Sequence, residues 1–344
     1  MKDLKYLIFS VLSILLISCK ADPWNDVTDG GWNHERTILD IKFEGQAGLA
    51  TIETVDAENG MITLKISPDL VTDMSRVKIE SLSVSYQAIP SVKQGETIDF
   101  TSSNPTITVV SQMGESRVYS INMEKFEETL VGIYSIDDLW VYGGTGPTYG
   151  GTSTVRVMAK SWCWTSGETS PESECDNYLV FKMTEIMADG NTTGECINYG
   201  GEDANWWDCI FLAKYNKLGT GDLNLEHFYR SIPKGKSTWI RNYADNTITF
   251  ISADGAKTVA SLLGADTYVL YDDGKYTRKI TVPNQALQFV LKGKEDWANT
   301  YTDYNTFAAN PSKYFIMVTK KPSGYVIPEE SMTLPDYCMF KVDM

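Results

Sequence analysis

Two polar loops in the second half of the chain carry tryptophans whose type and spacing suit the binding of a sugar. Trp162 and Trp164 lie two residues apart, so an extended chain would project both indoles from one face. Trp206 and Trp207 are adjacent, so only one of them can face a given site. The C–H face of a sugar ring needs a flat apolar plate, which an indole supplies. The pattern therefore predicts a carbohydrate site on these loops.

Polar partners for the sugar hydroxyls lie close to the same tryptophans in the sequence. Amide side chains donate and accept hydrogen bonds, and carboxylates accept them. The glycine-rich loop at residues 143–151 adds one more aromatic ring. The predicted glycan-binding residues are Trp162, Trp164, Trp206, Trp207, Tyr149, Asn205 and Asp208. The competing interpretation is that the tryptophans fill the core of a β-domain, with the neighbouring Cys163 and Cys209 buried beside them.

Residues for catalysis are scarce by comparison. The chain has two histidines, His34 and His227, and lacks the sequence motifs of serine hydrolases, zinc proteases and cysteine–histidine enzymes. We therefore predict no catalytic residues and no cofactor. A glycosidase needs only two carboxylates a few ångströms apart, and 45 acidic residues leave that alternative open.

Metal and nucleotide sites are disfavoured by their incomplete patterns. Residues 189–195 alternate oxygen-bearing side chains as a calcium loop does, but the full twelve-residue pattern is missing, so we predict a β-turn and no metal. The glycines of residues 143–151 are not followed by the Lys-Ser/Thr pair of a phosphate-binding loop.

The cysteines suggest disulfides in an oxidising compartment. Cys163, Cys175, Cys196 and Cys209 lie within one stretch of the second half, and the nearest pairs are Cys163–Cys175 and Cys196–Cys209. Spacing alone does not fix this connectivity. A zinc site is the weaker alternative, because none of the spacings is Cys-x-x-Cys.

The N-terminus has the features of an export signal. Two lysines precede a short apolar run that ends in Leu16, Ile17, Ser18 and Cys19. This segment resembles the lipobox of bacterial lipoproteins, which implies cleavage after residue 18 and a lipid on Cys19; an uncleaved transmembrane helix is the alternative. Residues 19–36 then read as a flexible tether. Its acids resemble the surface-export signal of Bacteroidota lipoproteins, so we expect the outer membrane, with the cell surface preferred over the periplasmic face.

Short strands separated by turn residues dominate the rest of the 344-residue chain, which predicts an all-β protein. Residues 37–126 contain about seven strands, as in an Ig-like β-sandwich. Residues 129–344 contain about ten, which predicts a larger β-sandwich, a jelly roll or a lipocalin-like barrel. One short helix is predicted between Gly255 and Gly264. The formal charge of -15 argues against nucleic acid or anionic lipid as a partner of the folded body.

The order of lipobox, tether, Ig-like domain and aromatic-rich distal domain resembles that of surface glycan-binding lipoproteins of Bacteroidota polysaccharide-utilisation systems. The resemblance implies a spacer role for the Ig-like domain. It also implies non-catalytic capture of an oligosaccharide, delivered to a transporter complex of the outer membrane. Two rivals remain: a surface-anchored glycosidase, and a structural or adhesive lipoprotein without a small ligand.

Overall fold

The computed structural model describes residues 33–102, 105–145, 152–164, 169–294 and 302–335. The chain divides into two compact units, Met1–Glu127 and Glu128–Met344. Both units are built of β-strands, which confirms the predicted all-β class. The predicted signal, Cys19 and most of the tether lie outside the described residues. Within the described part of the chain, no helix is long and apolar enough to cross a membrane.

Unit 1 is a sandwich of two small sheets. The first sheet has the order β1-β4-β6 and the second β2-β3-β8-β7-β5, in which β3 and β8 run parallel. Buried residues alternate with exposed or half-buried ones along β3 and β7, and along β1 after a bulge near Leu39, so the inner faces of the sheets form the core. The strands are β1 Ile38–Phe43, β2 Gln46–Thr54, β3 Asn59–Ile66, β4 Val77–Val84, β5 Ile89–Pro90, β6 Thr97–Ile98, β7 Thr106–Val110 and β8 Ser116–Lys125.

Unit 2 contains thirteen strands and a few short helices among its described residues. The strands are β9 Gly132–Gly143, β10 Ser153–Arg156, β11 Tyr178–Ile186, β12 Thr192–Tyr199, β13 Ile210–Phe211, β14 Leu223–Asn224, β15 Gly235–Asn242, β16 Thr247–Ile251, β17 Lys257–Leu263, β18 Asp266–Asp272, β19 Thr277–Val282, β20 Gln285–Val290 and β21 Pro311–Lys320. The helix α1 spans Glu226–Tyr229, and single turns of 3₁₀ or π-helix span Val157–Cys163, Pro171–Glu174, Asn305–Ala309 and Glu329–Ser331.

The long strands of unit 2 close into a barrel. The order is β9-β11-β12-β15-β16-β17-β20-β21, with every neighbouring pair antiparallel. Strand β21 pairs back onto β9 from Pro311 opposite Gly143 to Lys320 opposite Tyr134, and this seam closes the circle. Among the predicted alternatives for the second domain, the lipocalin-like barrel is therefore the one observed.

Side chains fill the inside of the barrel. The inward positions carry large aromatic residues, and edge-to-face contacts join them; Tyr134 and Phe181, for example, have ring centroids 5.6 Å apart. The fully buried aromatic residues of the strands include Tyr134, Trp239, Phe250 and Tyr314. The barrel interior is thus a packed core, as expected for a small barrel. A ligand of unit 2 must therefore bind on the outside or at an end.

The segments between strands close one end of the barrel, where β9 ends and β21 begins. We call these segments, residues 152–164, 169–177, 200–234 and 302–310, the cap. Trp164, Trp207, Phe211, Tyr229 and Phe307 of the cap are buried in the same hydrophobic cluster as the barrel interior. At the opposite end, Glu128 and Arg241 form a buried ion pair with N–O distance 2.8 Å. The two ends are therefore closed by different chemistry.

The helix predicted between Gly255 and Gly264 is wrong. Residues Lys257–Leu263 form strand β17, which pairs with β16 on one side and β20 on the other. The apolar residues there were spaced as on a helix, but two neighbouring strands satisfy the backbone hydrogen bonds of this segment, and tertiary pairing overrides weak local preference. Two further segments have the local sequence pattern of a strand. Of residues 209–215, only Ile210–Phe211 form one, and residues 336–342 lie outside the described residues.

Candidate functional site

Two of the predicted sugar-binding tryptophans belong to the hydrophobic core instead. Trp164 is 1% exposed and Trp207 is 0% exposed. Their ring centroids lie 4.7 Å apart in an edge-to-face arrangement at 88°. A ring enclosed by protein on all sides cannot stack on a sugar. The prediction is therefore corrected for both residues, and the competing core interpretation applies to them.

A short backbone pairing holds this aromatic pair in the cap. Trp164 forms an isolated antiparallel bridge with Phe211, and Leu212 N–H donates to the carbonyl of Cys163 at 2.9 Å. Phe211 and Phe307 pack on the Trp164 indole with centroid distances of 5.2 and 5.3 Å. The loops that carry the tryptophans are thus pinned to each other, which turns their rings inward.

A buried ion pair completes the support under Trp207. Arg230 and Glu174 form a salt bridge with side chains only 14% and 7% exposed. Glu174 Oε1 also accepts the backbone N–H of Trp207 at 3.1 Å, and Arg230 donates to the Trp207 carbonyl. Burial alone would lower the pKa of Arg230, but the Glu174 carboxylate raises it overall. The guanidinium therefore stays charged and fixed.

The neighbouring predicted residues shape turns. Trp206 is 8% exposed and packs near Gly200. Asn205 Nδ2 donates to the carbonyl of Asp203 at 2.7 Å, and Asp208 Oδ1 accepts the N–H of Ile210 at 3.0 Å. Both side chains are half-buried and bond to the adjacent backbone, as Asn and Asp do in turns. Tyr149 lies outside the described residues.

Trp162 is placed differently from the other three. Its side chain is 49% exposed, at the end of the Val157–Cys163 turn. The indole Nε1 donates to Asp303 Oδ2 at 3.3 Å, and the Lys160 ammonium lies 4.9 Å from the ring centroid. Lys160 also pairs with Asp303 Oδ1 at 3.1 Å. We call Lys160, Trp162 and Asp303 the Trp162 platform: a half-exposed ring with the Lys160 ammonium over one face and the Asp303 carboxylate at its N–H edge.

Asp303 is a residue that sequence reasoning missed. It lies 141 positions from Trp162 in the sequence. Its neighbours Thr302 and Tyr304 mark no motif. Asp303 reaches the indole only because residues 302–310 pack against the Val157–Cys163 segment in the folded protein. The sequence pattern therefore predicts the Trp162 ring of this site but not its polar partner Asp303.

A cleft opens at the rim of the capped end. Its volume is about 460 Å³. The floor and walls come from α1 and the following segment, from the start of β15, and from the turn between β16 and β17. The lining residues are Glu226, Arg230, Ser231, Pro233, Lys234, Lys236, Ser252, Ala253, Asp254, Ala256 and Thr258. Nothing in the sequence had suggested this cleft, because its residues are ordinary polar loop residues scattered over three segments.

One carboxyl group of the cap has a raised pKa. Burial is the main cause of the raised pKa of Asp176, and the nearby Asp203 adds to it. Asp176 Oδ2 accepts the backbone N–H groups of Glu202 at 2.6 Å and Asp203 at 3.1 Å. Asp176 Oδ1 is buried with no hydrogen-bond partner among the described residues. A carboxyl group with these properties is a candidate proton donor.

The predicted disulfides do not form. Cys163, Cys175, Cys196 and Cys209 are all free thiols. Cys196 lies in the middle of β12, where its backbone pairs with Phe181 of β11 and Ser237 of β15. It is therefore part of the barrel wall. Burial raises the pKa of Cys163, Cys175 and Cys209 to about 12. Cys163, Cys196 and Cys209 are buried and Cys175 is half-buried, and all four pack as small apolar side chains.

No cluster of three or more metal-binding side chains occurs within the part of the chain that the structure describes. The segment at residues 189–195 forms a tight turn followed by strand β12, which begins at Thr192. Asp189 Oδ1 accepts the N–H of Asn191 at 3.0 Å, as the Asp of a turn does.

Comparisons with known proteins give little further guidance. Neither a protein-family profile nor a curated protein matches the chain. One solved structure from Bacteroides thetaiotaomicron matches the chain in the structural comparison and is described as a "putative glycoside hydrolase". It shares 13% sequence identity, covers 87% of this chain and 86% of its own, and superposes with a TM-score of 0.22. At that TM-score the similarity carries no argument about function.

Proposed function

We propose that this protein is a lipid-anchored surface lipoprotein whose unit 2 binds an oligosaccharide without cleaving it. The observation that carries the proposal is the half-exposed indole of Trp162, fixed beside Asp303 and Lys160 at the capped end. An exposed indole costs solvation energy unless something covers it. A sugar ring covers such a surface and offers hydroxyls to the adjacent charged groups.

The packing of unit 2 supports a shallow site. The barrel interior is occupied by side chains, and the inner tryptophans support the cap instead of lining a tunnel. One indole and two charged partners give few contacts, so affinity should be in the micromolar to millimolar range, roughly −8 to −4 kcal/mol. Weak, reversible capture suits a protein that passes its ligand to a transporter complex of the outer membrane.

The anchor part of the proposal rests on residues 1–19. Cys19→Ala should abolish incorporation of a fatty-acid analogue in metabolic labelling. Equal labelling of the wild type and the variant would refute the lipoprotein assignment and favour an uncleaved membrane helix. Ig-like unit 1 would act as a spacer between the anchor and unit 2.

The binding part is tested by calorimetry across a panel of mucin, host N-glycan and plant oligosaccharides. Trp162→Ala should abolish the binding of any neutral glycan found, and Asp303→Asn should weaken it. Tyr86→Ala is the matched control, since Tyr86 is a 70% exposed aromatic residue of unit 1. Binding that survives Trp162→Ala would place the site elsewhere, and no binding to any glycan would favour the adhesive or structural alternative.

A glycosidase is the second candidate function, favoured by Asp176 alone. Its raised pKa favours the protonated form, which a general acid needs. If the protein is an enzyme, reducing ends should appear when the glycan panel is incubated with it, and Asp176→Asn should stop their release. Products formed equally by Asp176→Asn would exclude Asp176 as the acid.

A further inference from the structure

The cleft at the rim of the capped end has a charge pattern that differs from the rest of the molecule. The whole chain carries a formal charge of -15, yet the cleft is lined by Arg230, Lys234 and Lys236. Two acids, Glu226 and Asp254, line it as well. The cleft therefore offers positive and negative groups within one open depression of about 460 Å³, in the lower part of the range of ligand pockets (about 300–1,000 Å³).

The walls of this cleft are held in place before any ligand arrives. Thr258 Oγ1 of β17 donates to the carbonyl of Ser231, which joins two walls. The turn that carries Asp254 is closed by Gly255 N–H donating to Ser252 O at 2.9 Å and by Ala256 N–H donating to Asp254 Oδ1 at 3.1 Å. A rigid site loses less entropy on binding, so weak ligands can still be held.

The cationic side of the cleft can exchange its present partner for a ligand. Lys236 pairs with Glu195 at 3.3 Å, but the two side chains are 50% and 34% exposed. Exposed ion pairs of this kind are worth about 0–1 kcal/mol. Lys236 can therefore turn to a ligand carboxylate at little cost, and Lys234 lines the same cleft two residues earlier.

The acidic side limits which anions fit. Asp254 is fully ionised near neutral pH, because the Ser252 hydroxyl and the Ala256 N–H hold its pKa below the usual range. Two carboxylates would repel a polyanion such as a nucleotide or a polyphosphate, but they accept hydrogen bonds from hydroxyl groups. No aromatic ring occurs among the described lining residues, so stacking cannot be the source of affinity for a neutral sugar.

From this pattern we propose that the cleft binds a sugar acid: a hexuronate unit whose carboxylate meets Lys234 and Lys236 and whose hydroxyls meet Glu226 and Asp254. The inference goes beyond the proposed function, since it concerns other residues and a charged ligand. Loss of neutral-glycan binding in Trp162→Ala tests the earlier proposal, and loss of uronate binding in lysine variants tests this one. The two can therefore fail separately.

The experiment titrates the full mature protein by calorimetry with glucuronate and galacturonate, with glucose as the uncharged analogue and acetate as the carboxylate without hydroxyls. We expect the uronates to bind and the other two to give no saturable signal. The double variant Lys234→Ala/Lys236→Ala should weaken uronate binding by about tenfold or more, and added salt should weaken it in the wild type.

Lys257→Ala is the matched control, because Lys257 is an exposed lysine at the start of β17 that does not line the cleft. Circular dichroism would show whether the double variant is folded. If it is not, Lys236→Gln, a change at an exposed position, replaces it as the test variant. If glucose or acetate bound with an affinity equal to that of the uronates, the proposal would be overturned. So would an equal loss in Lys257→Ala, or no uronate binding by the folded wild type.

Discussion

The two ends of the unit 2 barrel are closed in different ways. At the capped end, the loops fold inward, and Trp164, Trp207 and Phe307 extend the aromatic core beyond the strands. At the opposite end, the chain enters the barrel through Glu128, whose carboxylate accepts hydrogen bonds from Arg241 and from the N–H of Leu130. Aromatic rings, supported by the buried Arg230–Glu174 ion pair, close one end, and the hydrogen-bond network around the Glu128 carboxylate closes the other.

This difference indicates where a ligand can bind. The carboxylate of Glu128 is also bonded by the hydroxyls of Thr192 and Tyr243, so its oxygens are fully engaged within unit 2. At the capped end, the hydrophobic closure lies inside, and its outer surface still presents Trp162 and the charged cleft. The polar groups around Glu128 are bonded to one another and therefore serve the fold. At the capped end, Trp162 and the charged residues of the cleft lie outside the aromatic closure and can contact a ligand.

The largest effect should come from the capped end. Trp207→Ala removes a fully buried indole that contacts Trp164 and Tyr229, so the free energy of unfolding should fall by about 3–5 kcal/mol. Urea unfolding followed by tryptophan fluorescence and circular dichroism measures this loss. A fall of less than about 1 kcal/mol would mean that the cap is not part of the core.

At the opposite end, Arg241→Met should cost about 3 kcal/mol, because Glu128 would remain buried without its cation. The double variant Glu128→Leu/Arg241→Met removes both charges and should regain most of that loss. The same urea experiment compares the variants. If the double variant loses as much free energy of unfolding as the two single variants lose together, packing and not charge pairing dominates this end.

The pH dependence of stability should have opposite signs at the two ends. Burial alone would raise the pKa of Glu128, but hydrogen bonds from Thr192, Tyr243 and Leu130 lower it overall, below the ordinary value of 4.5. Its contribution is therefore complete above about pH 5 and is lost as the pH falls through the lowered pKa. Asp176 has a raised pKa, so its ionisation favours the unfolded state and stability falls as the pH rises through that range.

Two amide variants separate these contributions. Glu128→Gln should destabilise the protein at pH 7 and much less at pH 3. Asp176→Asn should be neutral or stabilising at pH 7. Unfolding free energies measured from pH 3 to pH 7 check both, and the same sign of pH dependence for both variants would contradict the comparison.

Trp162→Ala should have a small effect on stability, within about 1 kcal/mol, because half of the indole is already in water. Trp207→Ala is the variant to compare it with. Both tryptophans were predicted to bind a sugar, but only the loss of Trp207 should reduce the free energy of unfolding strongly. Thermal unfolding compares the two variants. A loss of stability as large as that of Trp207→Ala would show that the Trp162 platform serves the core.

The smallest effect concerns the thiols. Buried cysteines whose pKa is raised to about 12 carry almost no thiolate at neutral pH, so Cys163, Cys175 and Cys209 should resist alkylation in the native protein. Mass spectrometry after labelling, with and without denaturant, measures this. Labelling of denatured protein that increases after reduction would reveal disulfides and contradict the free thiols.

Local patterns predicted the strands well. The sequence predicts short strands for residues 37–126, and Thr106–Val110 is an example: its burial alternates with a period of two, and it forms β7. Strand β12 was missed, since Gly194 and Asn198 interrupt its apolar pattern. There the barrel wall needs Gly194, where a Cβ would lie 1.8 Å from the carbonyl oxygen of Lys182.

The candidate site was less predictable than the strands. Trp162, Trp164 and Trp207 looked alike in the sequence, because a polar loop gives no local signal of which side faces the core. The bridge between Trp164 and Phe211 decides this, and it joins segments far apart in the chain. The partner Asp303 and the lining of the cleft likewise depend on long-range packing.

The seam between β9 and β21 also sets the order in which unit 2 can assemble. Most barrel strands pair with a neighbour close in sequence, and such hairpins form quickly. The seam joins β9 to β21, the first and last strands among the described residues of the unit, so closure must wait until Lys320 has been synthesised. Until then β9 has an unpaired edge, which can pair with other chains. A chain truncated before Pro311 should therefore aggregate, and light scattering during refolding would detect it.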